Sequence, residues 1–132
     1  MRKLLVVLSV VVIAFYGVTR ISDAPMPKPD KPVKHVWTIE DSKAYARDIM
    51  LAWNDHQFDC LVILWTKESN WRSNAYNKVK VMGKNAGGIP QLLGMSPKLH
   101  ATRQIDRGYS YIIYRYGSPC QALKFHNRRG WY

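Results

Sequence analysis

A stretch rich in proline and lysine divides this chain of 132 residues and limits what can fold. Residues 24–35 carry four prolines and three lysines, a composition that cannot bury a core and that favours an extended chain. At about 3.1 Å per residue the stretch would reach roughly 35 Å. A hydrophobic core can therefore form only in residues 36–132, and a domain of this size has a narrow margin of stability.

The residues before the linker have the pattern of an export signal. Two basic residues precede an apolar run of 15 residues at 4–18, a length that suits a signal peptide better than a membrane span. Residues 22–24 resemble a cleavage site, but Pro25 follows directly and is expected to hinder cleavage. Residues 1–23 are predicted to be a signal peptide or an uncleaved signal anchor. The protein is expected to be exported, either secreted or held at the outer face of the cytoplasmic membrane.

The charge of the chain is strongly positive. Its formal net charge is +11 at pH 7, and residues 67–132 hold 12 Lys or Arg against two acids, Glu68 and Asp106. Such a surface favours a polyanionic partner. Because export is predicted, nucleic acid is not the expected partner; peptidoglycan and anionic wall polymers are. A basic surface that serves only solubility is the alternative.

Cys60 and Cys120 are the two cysteines, and they are predicted to form one disulfide, as expected in an exported domain. The bond would close a loop of about 60 residues and stabilise the fold by roughly 4 kcal/mol in the chain-entropy model. Two buried free thiols are the alternative. The histidines lack the spacing of metal ligands, so neither a metal nor another cofactor is predicted. The four histidines are His35, His56, His100 and His126.

The domain is predicted to be mainly α-helical. Thr38 can cap a first helix that runs to about Asp55. Asp59 can cap a second helix that reaches Glu68. The inner face of the first helix is expected to carry Tyr45, Ile49 and Trp53 at a spacing of four residues.

An irregular lobe is predicted between the second and third helices. Residues 70–87 are polar and lack helical periodicity, so a long loop with a short hairpin is expected there, and its length favours a functional role. Residues 87–91 are predicted to form a tight turn into a short helical segment. A third helix is predicted at 101–116 with Gly117 as a left-handed C-cap, and Ser118 followed by proline can begin a last helix.

Glu68 lies where a carboxylate is unexpected. Leu61, Leu64 and Trp65 precede it by seven, four and three residues, so all four side chains share one helical face. Apolar surroundings raise the pKa of a carboxyl, and a raised pKa suits a general acid near neutral pH. The alternative is a solvated residue at a frayed helix end.

Glycosidases commonly use two carboxylates, but beyond Asp59 the chain offers only Glu68 and Asp106. Asp106 stands between Arg103 and Arg107 and is predicted to be a solvated, ion-paired surface residue. Glu68 would then act alone. A single acid suffices where the substrate supplies the second group, as the 2-acetamido oxygen of an N-acetyl sugar can.

Two short motifs stand 20 residues apart in the domain. Residues 65–71 read WTKESNW and residues 88–91 read GIPQ. They resemble the Glu-Ser and Gly-x-x-Gln motifs of the lytic transglycosylases with a lysozyme-like fold, in a compact form found in exported actinobacterial and phage proteins. Segments 104–112, 115–120 and 130–132 carry the resemblance further, so that it covers most of residues 50–132.

The resemblance implies a peptidoglycan lytic transglycosylase that cleaves the β-1,4 bond between N-acetylmuramic acid and N-acetylglucosamine. Glu68 would protonate the glycosidic oxygen and then take the proton of the sugar's 6-hydroxyl, which leaves a 1,6-anhydro-muramyl end and consumes no water. Ser69 would orient the acid or the N-acetyl group. Gln91 would hydrogen-bond sugar or acid, and Gly88 would let the backbone pass close to substrate beside Ile89. A helix-end cap for Ser69 and an exposed polar role for Gln91 are the alternatives.

Aromatic side chains are candidates for stacking on sugar rings, although packing in the core is their commoner role. The candidates are Trp71, Tyr76, Tyr111 and Tyr132, of which the last two are included in the predicted substrate site. The chain departs from the family pattern at residues 122–127, which read ALKFHN where many members have Ala-Tyr-Asn-x-Gly, and at Gly87, where many have a bulky residue.

Two other functions stay open. A muramidase would hydrolyse the same bond, and a non-catalytic module would bind the wall through its basic surface. A host remodelling enzyme and a phage lysis protein both fit the sequence. A monomer is expected, with the membrane as a further partner if the N-terminal segment is not cleaved.

Overall fold

The computed structural model describes residues 35–132. The predicted signal or anchor at 1–23 and nearly all of the linker lie outside the described residues. Within the described part, no helix has both the length and the apolar character needed to cross a membrane. Four helices hold 54% of these residues and a three-stranded antiparallel sheet is added to them, so the fold is helix-rich and compatible with the predicted mainly α class. The helices are α1 (Ile39–Ile49), α2 (Asp55–Ser69), α3 (Ala101–Tyr116) and α4 (Pro119–Arg129).

Helix α1 begins as predicted and ends early. The Thr38 side chain accepts from the backbone N–H of Asp41, and the Asp41 carboxylate accepts from the backbone N–H of Thr38 at 2.8 Å, which is a capping box. The prediction that the helix runs to about Asp55 is wrong, because it ends at Ile49 and a turn follows. The residues expected on its inner face, Tyr45, Ile49 and Trp53, do pack against the core, the last of them from the turn.

Helix α2 starts earlier than predicted. The side chain of Asn54 accepts from the backbone N–H of Gln57 at 3.1 Å, so the helix begins at Asp55 and not after Asp59. Asp59 is an exposed residue within its second turn. The error has a physical reason: asparagine and aspartate are equally good caps, and the apolar spacing alone cannot choose between them.

The lobe between α2 and α3 contains the expected hairpin. Strand β1 (Tyr76–Val81) pairs antiparallel with β2 (Lys84–Gly87). The prediction of a helical segment after the turn at 88–91 is wrong, because Leu92–Leu93 form a third strand, β3, that pairs with Ala86 and Gly87. The edge of β2 that does not pair with β1 offers backbone N–H and C=O groups, and these residues extend to pair with it instead of forming a helical turn.

Helices α3 and α4 follow the prediction closely. Gly117 adopts the left-handed conformation at φ 78° and ends α3. The Ser118 side chain accepts from the backbone N–H of Gln121, and Pro119 occupies the first turn of α4. On α3, Ile105 and Ile112 are fully buried.

The core lies where α2 meets the other helices and the turn that precedes β3. The Cys60–Cys120 disulfide joins α2 to α4, which confirms the predicted bond. Gly108 on α3 allows close approach, because a Cβ there would lie 2.6 Å from Pro90 and 2.9 Å from the ring of Trp65. Residues fully or almost fully buried in this core include Met50, Leu61, Leu64, Trp65, Trp71, Ile89, Ile105 and Ile112.

Candidate active site

Glu68 lies in the last turn of α2, on the face that enters the core. Leu61, Leu64 and Trp65 on the same face are fully buried, and the Glu68 side chain is only 16% exposed. Removal from water disfavours the ionised form, and this burial raises the pKa of Glu68 to about 7. The carboxyl is therefore shielded and able to carry a proton near neutral pH.

A histidine that the sequence did not single out stands beside this acid. His126 on α4 places Nε2 3.0 Å from Oε1 of Glu68, and its side chain is 15% exposed. Burial, and next the positive charge of Lys67, lower the pKa of His126. One signal could have found the pair, because the predicted disulfide places Cys60 against Cys120. Glu68 follows the first cysteine, and His126 the second, by about two helical turns.

Ser69 follows the acid and connects α2 to the second motif. Its side chain is buried, and Oγ donates a hydrogen bond to the backbone oxygen of Ile89 at 2.6 Å. The helix then ends on Asn70 and Trp71, both in the left-handed region at φ 54° and 60°. The Glu-Ser and Gly-x-x-Gln motifs are thus joined by a hydrogen bond from the serine.

The turn at 88–91 is held from its other side by Gln104 of α3. Oε1 of this buried glutamine accepts from the backbone N–H of Ile89 at 2.8 Å, and Nε2 donates to the oxygens of Ser73 and Leu99. Gly88 has φ +71° and a Cβ there would collide with the Gln104 side chain. The glycine of the motif is therefore required by internal packing, and Ile89 is fully buried.

Gln91 is half-buried and folds back on its own turn. Its Nε2 donates to the backbone oxygen of Gly88 at 2.9 Å, and its backbone has φ +51°. Its Oε1 accepts no hydrogen bond from the described residues. Contact of Gln91 with a sugar stays a prediction.

Tyr132 lies near Glu68 and makes two hydrogen bonds through its hydroxyl. Its hydroxyl accepts from Nε1 of Trp65 at 2.9 Å and donates to the backbone oxygen of Pro90 at 2.8 Å. Burial, and then the nearby Glu68 carboxyl, raise the pKa of the tyrosine well above its ordinary value. The side chain thus connects α2, the turn at 88–91 and the last residues of the chain.

The four aromatic candidates for sugar stacking have different surroundings. Trp71 is 1% exposed and packs edge-on against Trp65, so it belongs to the core. Tyr76 is 51% exposed on β1. Tyr111 is half-buried, with its ring 5.9 Å from that of Tyr132 and the guanidinium of Arg115 6.0 Å away.

Asp106 is not the ion-paired surface acid that was predicted. It is half-buried and accepts a hydrogen bond from the hydroxyl of Tyr45 at 2.8 Å, and no ion pair within residues 35–132 joins it to Arg103 or Arg107. The packing of α1 on α3 brings the tyrosine to it, and residues so far apart in sequence could not be paired by their spacing.

Three further features of residues 35–132 do not include Glu68. His56, Cys60 and Cys120 bring three metal-ligating atoms within 4.8 Å, but both sulfurs are committed to the disulfide and a thiolate is required for ligation. Two shallow depressions also exist and neither is lined by Glu68. One lies between Trp37 and Trp71, the other between Tyr76 and Met95.

Comparison with protein families, with curated proteins and with solved structures finds no match to this chain.

Proposed function

We propose that this protein is a peptidoglycan lytic transglycosylase with Glu68 as its single acid and base. The observation that carries the proposal is the shielded carboxyl at the end of α2, whose pKa is raised to about 7 by burial. Such a group can give up a proton near neutral pH and then take one back. The lysozyme-like fold is part of the same proposal.

The contacts around the acid support this role. Ser69 and Ile89 join the end of the acid's helix to the Gly-x-x-Gln turn, and Tyr132 joins Trp65 to Pro90 of that turn. A carboxyl whose supporting groups are held by buried hydrogen bonds keeps a fixed direction, which proton transfer at a single bond requires. Ser69, Gly88 and Ile89 would then act by shaping the site.

The reaction divides into two proton transfers. Glu68 gives its proton to the glycosidic oxygen as the bond from the muramyl C1 breaks, and the 2-acetamido oxygen of the same sugar stabilises that carbon. The carboxylate then removes the proton of the 6-hydroxyl as this oxygen bonds to C1. The anhydro ring forms and the carboxyl returns to its first state.

Clearing of purified cell walls by Glu68→Gln tests the assignment, and the chain provides a matched control. Glu40 is the other glutamate and lies exposed in the first turn of α1. We expect Glu68→Gln to lose at least about a hundredfold in rate and Glu40→Gln to retain it. Equal activity of wild type and Glu68→Gln would refute the assignment of Glu68 as the acid of a wall-cleaving enzyme.

Mass spectrometry of the digest separates the proposal from a muramidase. Anhydro-muramyl ends, each lighter by one water than the corresponding reducing end, identify the transglycosylase. Reducing ends identify the hydrolase, in which water takes the place of the 6-hydroxyl.

A wall-binding module without activity is the second candidate, and the charge of +11 favours it. It predicts that wild type and Glu68→Gln bind walls equally and that neither shortens the glycan chains. The expected partner is peptidoglycan in both cases, outside the cytoplasmic membrane.

A further inference from the structure

The proposed reaction makes no use of the histidine in contact with its acid. His126 on α4 and Glu68 on α2 face each other with 3.0 Å between Nε2 and Oε1, and their side chains are only 15% and 16% exposed. The two helices are held together by the Cys60–Cys120 bond. A short contact between two shielded polar groups on covalently joined helices is a fixed feature of the fold.

The other ring nitrogen decides which form the imidazole prefers. Nδ1 of His126 is buried without a hydrogen-bond partner among residues 35–132. A buried N–H without an acceptor is costly, so the neutral ring favours the tautomer with its hydrogen on Nε2, the atom next to Glu68. A doubly protonated ring would place a proton on Nδ1 and is disfavoured for the same reason.

We propose that His126 is a positioning residue that donates its Nε2–H to Oε1 of Glu68 and so leaves the acid's own proton on Oε2. A carboxylic acid carries its proton on one oxygen, and a donor at Oε1 reserves that oxygen as the acceptor. The proton to be transferred then points away from α4. The catalytic consequence rests on the proposed function, whereas the pairing does not.

The pairing also serves both transfers. When Oε2 gives its proton to the glycosidic oxygen, the carboxylate keeps the hydrogen bond from Nε2, and a hydrogen bond to an ion is stronger than one to a neutral group. Oε2 then accepts the proton of the 6-hydroxyl. The imidazole begins and ends neutral, so it adds no full positive charge that would weaken the carboxylate as a base.

Protonation of the ring should end this arrangement at low pH. A histidine cation 3.0 Å from Glu68 would favour loss of the acid's proton, because an opposite charge at that distance stabilises the carboxylate. The charged and titratable groups that act on the pair are Lys67 on α2, whose charge acts on His126, and the hydroxyl of Tyr132, which lies near Glu68.

Two variants of His126 separate a donor from a titrating group. His126→Gln keeps an N–H donor that can reach Oε1 but cannot titrate, and His126→Leu keeps volume without a donor. The rate of wall clearing by wild type should have a bell-shaped dependence on pH. The Gln variant should keep most of that rate, and its rate should not fall on the acidic side of the profile. The Leu variant should lose tenfold to a hundredfold in kcat with little change in KM, on the order expected for one hydrogen bond to a charged group.

A measurement independent of activity tests the pair itself. Full-length protein labelled with ¹³C at the glutamate carboxyls gives only two resonances, from Glu40 and Glu68, and Glu68→Gln assigns them. The Glu68 resonance should titrate in two coupled steps in wild type and in one step in both His126 variants. His56→Gln, a change at an exposed histidine of α2, should leave it unchanged.

The outcomes distinguish the two proposals. An unchanged Glu68 titration in both His126 variants overturns the pairing, whether or not the protein cleaves walls. A coupled titration in a protein without wall activity supports the pairing and refutes the proposed function. If His126→Leu and His126→Gln lose equal activity and share one pH profile, His126 is merely structural and the positioning role is refuted.

Discussion

Glu68 links the chemistry of a single side chain to the stability of the fold. An unfolded carboxyl has a pKa near 4.5, whereas the pKa of the folded group is about 7. Between these values the unfolded chain ionises first, so this group lowers the stability of the fold as the pH rises through that range and costs nothing below it. The stability cost at neutral pH therefore falls on the group to which the proposed function assigns proton transfer.

Replacement of Glu68 by Gln should therefore stabilise the fold in a pH-dependent way. The gain should be on the order of 3 kcal/mol above pH 7 and vanish below about pH 4.5. Chemical unfolding of both proteins at about pH 4 and about pH 8 measures it. A gain of equal size at the two pH values would contradict the raised pKa. The control Glu40→Gln should show no gain in stability at either pH.

Tyr132 gives a second test at the level of one atom. Tyr132→Phe removes the hydroxyl that accepts from Trp65 and donates to Pro90, which leaves two buried polar groups without a partner. We expect a loss of about 1–3 kcal/mol in the free energy of unfolding. Tyr114→Phe changes a residue that is 93% exposed, and thermal unfolding should barely respond to it.

At the scale of elements, the position of α3 against the turn at 88–91 depends on Gly108. A Cβ at this residue would lie 2.6 Å from Pro90 and 2.9 Å from Trp65, closer than packed atoms allow. The same turn accepts a hydrogen bond from Ser69 and donates one to Gln104. A displacement of α3 would therefore reach the end of the acid's helix.

Gly108→Ala should destabilise the protein although alanine is the better helix former. Helix propensity favours alanine by up to about 1 kcal/mol, but overpacking costs typically about 1–3 kcal/mol, so a net loss is expected. Wall clearing should fall with it. Ser110→Ala, at an exposed position of the same helix, measures the effect of alanine on helix propensity without the contacts to Pro90 and Trp65. If Gly108→Ala is as stable as this control, the close packing is refuted.

For the whole molecule, the disulfide is the strongest single constraint on a small domain. Loss of the bond in Cys60→Ser with Cys120→Ser should cost about 4 kcal/mol in the chain-entropy model. For a domain of this size that corresponds to a fall in Tm on the order of 20 °C. Thermal unfolding with and without a reductant measures it, because only the wild type should respond to the reductant.

The net positive charge is also a property of the whole molecule. Binding of Glu68→Gln to purified walls can be measured without cleavage, and with a net charge of +11 it should weaken on the order of tenfold between about 0.05 M and 0.5 M salt. Binding that is indifferent to salt would show that the basic surface does not contact the wall.

The local signals of the chain predicted most of its elements. The caps at Thr38 and Ser118, the C-cap Gly117 and the disulfide were all read correctly, because each depends on a few neighbouring residues or on counting cysteines. Three element predictions were wrong: the end of α1, which lies at Ile49, the start of α2 after Asn54, and the segment after Gln91. At the start of α2 two capping residues competed, and after Gln91 pairing with β2 replaced the helical segment that the local pattern favoured.

By itself the sequence determined that Glu68 shares a helical face with the core, since a period of 3.6 residues is a local property. The tertiary structure alone decided what surrounds that carboxyl: His126 from α4, the Ser69 bond to Ile89, and the Tyr132 hydroxyl. These contacts join residues 20 to 67 positions apart. Helix packing and the disulfide bring them together, and no spacing along the chain encodes the Ser69 contact or the Tyr132 contact.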